Sequence, residues 1–238
     1  MTTILLTNDD GIDAPGIEHL FHATEGLGER IVVAPHEEQS ATGHAVTTRR
    51  SISIEQRREG WYAIGGLPAD CTRIGVVHFA PQTAWVLSGI NQGGNIGADV
   101  YISGTVAAAR EATFLGFRAM AISQYVKPDL PVDWERAQRL AARLVRELMD
   151  RPLAPRAFWN VNLPHLPKDA PDPDVVFCKL DHQKLDVRFR VEGDLAKGAA
   201  IAHYKGNYHG RQREEGRDVD VCMGGRIAVS EIPLDITR

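Results

Sequence analysis

Residues 4–11, ILLTNDDG, join three consecutive apolar residues to a polar segment that ends in glycine. A short apolar run without alternation is typical of a strand buried on both faces, and Asn, Asp and Gly favour a turn after it. Pro15 then opens a segment with apolar residues at helical spacing, which predicts an amphipathic helix. Together the two segments indicate the first strand–helix unit of a parallel sheet.

The same alternation continues through the first two thirds of the chain. Further buried strands are predicted at 31–34, 84–87, 119–122 and 158–163, with helices beginning at Pro68, Ser103 and Trp134. Residues 51–54 and 61–64 predict a two-stranded excursion with one face in water. The predicted fold class is α/β: a Rossmann-like, parallel, doubly wound sheet with a β-hairpin excursion and a β-rich C-terminal arm.

We expect residues 1–164 to form the α/β core and residues 165–238 to form the arm, which is not an independent domain. Prolines punctuate the start of the arm, and strands are predicted at 175–180, 187–191 and 219–232. The basic segment 203–217 has no predicted role. Hairpins of this kind often reach another subunit, so we expect an oligomer.

The composition excludes several classes of protein. The chain has 238 residues, a net charge of −4, 43% hydrophobic residues and 24% charged residues, which is the balance of a globular protein. Neither a membrane span nor a basic surface for nucleic acid is indicated, so we expect no membrane partner and no stable nucleic-acid complex. The three cysteines are widely separated and form neither a disulfide framework nor a zinc motif, so we expect a cytoplasmic protein.

Polar clusters follow the predicted strands at what becomes one edge of the sheet. These clusters are residues 8–11, 35–44 and 88–97, and the next helix begins at 103–105. Ligands of open α/β sheets bind outside the carboxyl ends of the strands, so this edge is the candidate site. Ser103, Gly104 and Thr105 offer hydroxyl groups, backbone N–H groups and the positive end of a helix dipole, which suit an anion.

Asp9 and Asp10 are adjacent carboxylates, which repel each other unless a cation compensates. Ser40 and Asn91 reach the same edge, and oxygen donors of this kind favour a hard ion such as Mg²⁺, Mn²⁺ or Ca²⁺. The alternative is that one of the two aspartates only caps the following helix. A phosphate ester could contact both the cation at the aspartates and the start of the helix at 103–105. A substrate of this kind would explain why a cation site and an anion site lie together.

Several well-defined motifs of other enzyme classes are absent from the sequence. The sequence contains no GxGxxG after the first strand, no GxxxxGK[ST] and no GxSxG. A dinucleotide fingerprint, a P-loop and an α/β-hydrolase nucleophile elbow are therefore not supported.

Several of these segments, in order, resemble the SurE family of survival-protein nucleotidases. The matching segments are 5–12, 33–35, 39–44, 68–71, 88–91, 94–97 and 103–106, and residues 160–164 add a weaker match. The resemblance implies a metal-dependent phosphatase acting on nucleoside 5′- and 3′-monophosphates, and on short polyphosphate in some members. It also implies a C-terminal arm exchanged between subunits, in a homodimer or homotetramer.

Carried over by position, the resemblance implies one divalent cation per subunit. Its ligands are Asp9, Asp10, Ser40 and Asn91. The phosphate-facing residues are Asn95, Ser103, Gly104 and Thr105.

Our sequence-based hypothesis assigns catalysis to Asp9, Asn95 and Ser103. Asp9 orients or deprotonates the attacking water, Asp10 anchors the cation, and Asn95 and Ser103 hold phosphate oxygens. Two alternatives stay open: a nucleoside hydrolase, which releases free base, and a metal-dependent nucleotide-binding module without catalysis.

Overall fold

A computed structural model describes residues 2–194 and 198–234 of the chain. The strands are β1 (Thr3–Thr7), β2 (Glu29–Pro35), β3 (Ile54–Arg58), β4 (Trp61–Ile64), β5 (Thr83–Gln92), β6 (Arg118–Gln124), β7 (Ala157–Leu163), β8 (Val175–Phe177), β9 (Phe189–Asp194), β10 (Ala199–Tyr204) and β11 (Ile227–Pro233). The helices are α1 (Pro15–Ala23), α2 (Pro68–Ile74), α3 (Gly104–Phe114), α4 (Trp134–Asp150) and α5 (Asp218–Met223). A π-helical turn, Gly75–Phe79, continues α2, and a 3₁₀ turn, Gly97–Tyr101, precedes α3.

Nine strands form the central sheet in the order β3-β4-β2-β1-β5-β6-β7-β11-β8. The run from β4 to β7 is parallel throughout, and β3 pairs antiparallel with β4. The remaining pair, β9 and β10, forms a separate antiparallel hairpin. The predicted fold class, a parallel doubly wound sheet with a hairpin excursion, is confirmed.

Helices cover both faces of the sheet because the central strands are apolar on both faces. In β1, Ile4 and Leu6 pack on the side of α1 and α4, whereas Leu5 packs on the side of α2 and α3. All three side chains are fully buried. Burial of this kind on both faces requires helices on both, since a parallel sheet has no wet face.

Residues after 164 contribute both to the main sheet and to the hairpin. Strand β11 lies between β7 and β8, antiparallel to β7 and parallel to β8. The hairpin of β9 and β10 is a sheet of its own, and after it Tyr208 and Arg211 contact Gly94 and Asp99 at the carboxyl edge of the main sheet. No helix in the described part of the chain is long and apolar enough to span a membrane.

The strand predicted at 219–232 is wrong over its first third, because residues 218–223 form α5. Its side chains Val219, Val221 and Cys222 are buried against Ile96 of the glycine-rich loop. Asp218 accepts hydrogen bonds from the backbone amides of Gly97 and Asp181, both at 2.7 Å. Tertiary contacts therefore fix this helix, and β11 begins only at Ile227.

Other strand bounds also differ from the prediction: the strand predicted at 175–180 ends at Phe177, and the one predicted at 187–191 is Phe189–Asp194. The first hairpin strand begins at Ile54, not at Ser51, and continues to Arg58 with every residue exposed. Strand β10 was not predicted. All three cysteines are free thiols; Cys71 and Cys222 are buried, and Cys178 is partly buried.

Candidate functional site

A cavity of about 450 Å³ lies at the carboxyl edge of the sheet, beside the start of α3. Its core side is formed by Asp9, Ser40, Ala41, residues 91–95, Asp99, Ile102, Ser103 and Val126. Its other side comes from the arm, through Leu185, Asp186, Tyr204, Asn207, Tyr208, His209 and Arg211. The volume is within the roughly 300–1,000 Å³ typical of small-molecule sites.

Asp9 follows β1 directly and points to the N-terminus of α3. The residue is only 4% exposed, and the Thr105 hydroxyl donates a hydrogen bond to its Oδ1. The backbone amides of Thr105 and Gly104 favour the ionised form, but burial is the larger effect and raises the pKa of Asp9. Gly104 allows this approach, because a Cβ there would lie 2.7 Å from the Cβ of Asp9.

Asp10 faces a second depression, which it lines together with Glu38, Ser40 and Gln92. The backbone amide of Gln92 donates to Oδ2 of Asp10 at 3.1 Å. Burial, followed by the charge of neighbouring Asp9, raises the pKa of Asp10 to about 6. Both carboxylates therefore resist ionisation, and a bound cation would offset that resistance.

Ser40 and Asn91 complete the oxygen donor set that the sequence predicted. Both line the cavity beside Asp9, and Ser40 also lines the depression beside Asp10. The Ser40 hydroxyl donates to Glu38 at 2.6 Å, and the Asn91 amide nitrogen donates to the Gly93 carbonyl at 2.7 Å. The side-chain carbonyl of Asn91 is thus its candidate ligand atom.

The donor chemistry fits a hard divalent cation. Two carboxylates, a hydroxyl and an amide oxygen are the ligand types of Mg²⁺, Mn²⁺ and Ca²⁺. Within residues 2–194 and 198–234, no three His, Cys, Asp or Glu side chains form a metal-binding group. A cation at this place would therefore need Ser40 and Asn91 as ligands in addition to the paired aspartates.

Asn95 is held in the cavity wall by hydrogen bonds to the neighbouring strands. Its Nδ2 donates to Ser123 Oγ at 2.8 Å, and its backbone amide donates to Asn162 Oδ1 at 2.8 Å. The side chain of Asn160 donates to the Asn95 carbonyl at 2.9 Å. Asn160 and Asn162 belong to a segment that resembles the family, but the sequence assigned them no role in the site, although polar residues at alternate positions of a buried strand, AFWNVNL, are a usable signal.

Ser103, Gly104 and Thr105, the three residues at the start of α3 that were predicted to face phosphate, do not all reach the cavity. Ser103 lines the cavity and caps the helix, its Oγ accepting from the Val106 amide at 3.1 Å. Thr105 is fully buried, and its hydroxyl contacts Asp9. The structure thus brings Ser103 to the cavity, while Gly104 and Thr105 lie behind the Asp9 carboxylate.

The arm supplies residues that the sequence did not identify as part of a site. Arg211 forms a two-pronged ion pair with Asp99, at 2.8 and 3.2 Å, and both side chains are largely buried. The Tyr208 hydroxyl donates to the Gly94 carbonyl at 3.1 Å. His209 Nδ1 lies 2.8 Å from the Tyr125 hydroxyl. In the sequence, only the basic character of segment 203–217 pointed to a role for the arm. The charge of Arg211 is neutralised within the protein by Asp99.

Comparisons with known proteins show the family to which this chain is similar. The family model described as survival protein SurE matches residues 4–186. A protein of Synechocystis sp. is 48% identical over 229 residues, covering 96% of this chain and 98% of the relative. The 5′-nucleotidase SurE of Pelobacter propionicus is 42% identical over 243 residues, covering 99% of this chain and 94% of the relative.

A solved structure extends the likeness to the fold. The crystal structure of SurE protein from Aquifex aeolicus superposes with a TM-score of 0.87 at 29% identity, covering 99% of this chain and 95% of that one. The family match covers the strands and helix that form the core side of the cavity. This chain belongs to the SurE family.

Proposed function

We propose that this protein is a metal-dependent phosphomonoesterase that hydrolyses nucleoside 5′-monophosphates, with 3′-monophosphates and short polyphosphate as further substrates. Relatives over nearly the whole chain are named 5′-nucleotidase SurE, which supports the first substrate class. The observation that carries the proposal is the placement of Asp9 and the capped start of α3 in one cavity, with Asp10 in a second depression that shares Ser40 with it.

One divalent cation per subunit, held by Asp9, Asp10, Ser40 and Asn91, would supply positive charge for the phosphoryl oxygens and a more acidic water. Asp9 would orient that water, because the hydrogen bond from the Thr105 hydroxyl fixes its carboxylate at the cavity wall. Asp10 contributes mainly charge for holding the cation.

Asn95 and Ser103 would contact the phosphate oxygens. Both line the cavity, and the backbone and side-chain bonds of Asn95 fix it before substrate binds. Fixed polar groups stabilise a charged transition state without reorganisation. In this proposal Gly104 and Thr105 act only by positioning Asp9. The sequence had predicted that they contact the phosphate directly.

Phosphate release tests the proposal directly. We expect purified protein to release inorganic phosphate from nucleoside 5′-monophosphates with Mn²⁺ or Mg²⁺, and to stop when chelator removes the metal. Asp10→Asn should lose most of this activity, whereas the exposed Asp13→Asn is a matched control that should retain it.

Other products would identify the alternatives. Release of free base instead of phosphate would establish a nucleoside hydrolase. Metal-dependent nucleotide binding without turnover would establish a binding module. Separate assays with 3′-monophosphates and tripolyphosphate decide the two further substrate classes.

We also propose that the hairpin of β9 and β10 binds a second copy of this chain. Phe189, Val191 and Tyr204 share one face of the hairpin and are each between 58% and 60% exposed. The opposite face carries charged residues, including the pair of His203 and Glu192 at 3.4 Å. Ile201 is the exposed large apolar residue on that opposite face, so the face of Phe189, Val191 and Tyr204 is the better suited to burial in a homodimer or homotetramer.

A further inference from the structure

Tyr208 places an aromatic ring in the wall of the cavity that contains Asp9 and Asn91. The Arg211 guanidinium lies over this ring, 4.4 Å from its centroid. Tyr208 is nevertheless 37% exposed. The rings of Tyr125 and His209 also lie near it, with centroids 6.4 and 5.2 Å away, and the part of the Tyr208 ring left exposed contributes to the cavity wall.

Several contacts fix the position of this ring. Its hydroxyl lies 3.1 Å from the Gly94 carbonyl and 3.3 Å from Asp99 Oδ2. Arg211, which covers the ring, is itself held by Asp99 at 2.8 Å. Burial and the Asp99 charge raise the pKa of Tyr208, so its hydroxyl stays protonated and remains a donor.

The Tyr208 hydroxyl packs closely against Gly94 of the glycine-rich loop. A Cβ added at Gly94 would lie 3.2 Å from the Tyr208 hydroxyl and 3.3 Å from the Tyr125 ring. Both distances are shorter than most real Cβ contacts, so a side chain at this position would require the two aromatic residues to shift by a few tenths of an ångström. Arm and glycine-rich loop therefore fit each other at the cavity wall.

We propose that Tyr208 is the stacking surface for the base of the nucleotide substrate, and that the ion pair of Asp99 and Arg211 holds it in place. This inference rests on the proposed function and adds the group that recognises the nucleoside part. A fixed aromatic ring binds any base through its π-face, and a purine offers the larger area. The expected preference is therefore for purine over pyrimidine monophosphates.

Two substrates separate base recognition from phosphate chemistry. Adenosine 5′-monophosphate and ribose 5-phosphate carry the same phosphate ester, and only the first has a base. We expect Tyr208→Ala to raise KM for adenosine 5′-monophosphate roughly tenfold, the size typical of base–aromatic stacking, with kcat nearly unchanged. KM for ribose 5-phosphate should stay within about twofold of the original value, which also shows that the variant is folded.

Tyr208→Phe is the matched control, since it keeps the ring and removes the hydroxyl. It should restore most of the affinity for adenosine 5′-monophosphate. An unchanged KM in Tyr208→Ala, or an equal rise for both substrates, overturns the proposal.

Calorimetric binding of adenosine separates this proposal from the nucleotidase proposal. If the protein binds adenosine and Tyr208→Ala weakens that binding, stacking stands even where no phosphate is released. If phosphate is released but the variant binds adenosine as well as the original chain does, stacking is wrong and the nucleotidase proposal stands.

Discussion

The position of Asp9 depends on two small features of α3. Gly104 leaves room for the carboxylate, and the Thr105 hydroxyl donates to it from a fully buried position. A hydrogen bond to a buried charged group is among the stronger contacts in a protein. Thr105 therefore acts on chemistry through Asp9 and is a positioning residue.

We expect Thr105→Val to lower kcat at least tenfold, because it removes the donor and keeps nearly the same volume. The free energy of unfolding should fall by about 1–3 kcal/mol, since the Asp9 carboxylate loses a buried partner. Steady-state kinetics and urea unfolding measure the two effects.

Thr113→Val is the matched control for this change. Thr113 is buried on the same helix, and its hydroxyl donates to the Ala109 carbonyl at 2.9 Å, away from the cavity. Equal losses of activity in the two variants would show that Thr105 has only a structural role.

At the scale of single residues, the position of polar residues after the strands predicted which of them lie together at the candidate site. Asp9, Ser40, Asn91, Asn95 and Ser103 all line one cavity, because parallel strands bring their carboxyl ends to one edge. The roles of Thr105 and Gly104 depend on side-chain direction, which sequence spacing does not define.

Helix α3 joins a stabilising cap to the candidate site. Ser103 caps the helix through the Val106 amide, and the same residue lines the cavity. Helix α4 has an equivalent cap in Asp133, whose Oδ1 accepts from the Arg136 amide at 2.9 Å. Asp133 does not line the cavity.

Substitution of the two N-caps separates the effect of Ser103 on activity from its effect on stability, with Asp133 as the control. Ser103→Ala and Asp133→Ala should each lower the free energy of unfolding by about 1 kcal/mol, the usual effect of losing an N-cap. Only Ser103→Ala should also lower kcat/KM. Parallel losses of activity in both variants would indicate that Ser103 contributes stability alone.

Elements of the core were more predictable than those of the arm. Strands such as β1 and β5 are identified by local apolar runs between turn residues. Helix α5 is short, and its apolar residues also suit a strand, so contacts with Ile96 and the hydrogen bonds of Asp218 determine its form. The return of Tyr208 to the cavity is a long-range contact with no local signal.

At the scale of the whole molecule, the proposed cation couples binding to stability. A ligand that binds only the folded state at about 100 times its Kd adds about 2.7 kcal/mol. We expect saturating Mn²⁺ to raise Tm by roughly 5–10 °C, and chelator to reverse the change. Differential scanning calorimetry measures both.

Substitution of one carboxylate should remove this stabilisation. In Asp10→Asn, Mn²⁺ should no longer change Tm, whereas Asp13→Asn should respond as the original chain does. A full response in Asp10→Asn would show that the cation binds elsewhere.

Assembly through the hairpin is a separate prediction for the whole molecule. Val191→Asp places a charge on the apolar face, so we expect a shift toward monomer in analytical ultracentrifugation. Ile201→Asp is the matched control, because Ile201 pairs with Glu192 on the opposite face and is also exposed. A homodimer or homotetramer unaffected by Val191→Asp would place the interface elsewhere.

The position of β11 has a consequence for synthesis of the chain. Strand β8 is made before β11, yet β11 is the strand through which β8 joins the sheet. While the ribosome is still adding residues 178–226, β8 has no neighbour with which to pair. Completion of this edge must therefore wait until β11 has left the exit tunnel, and a prematurely terminated product would expose β7 as an open edge to other chains.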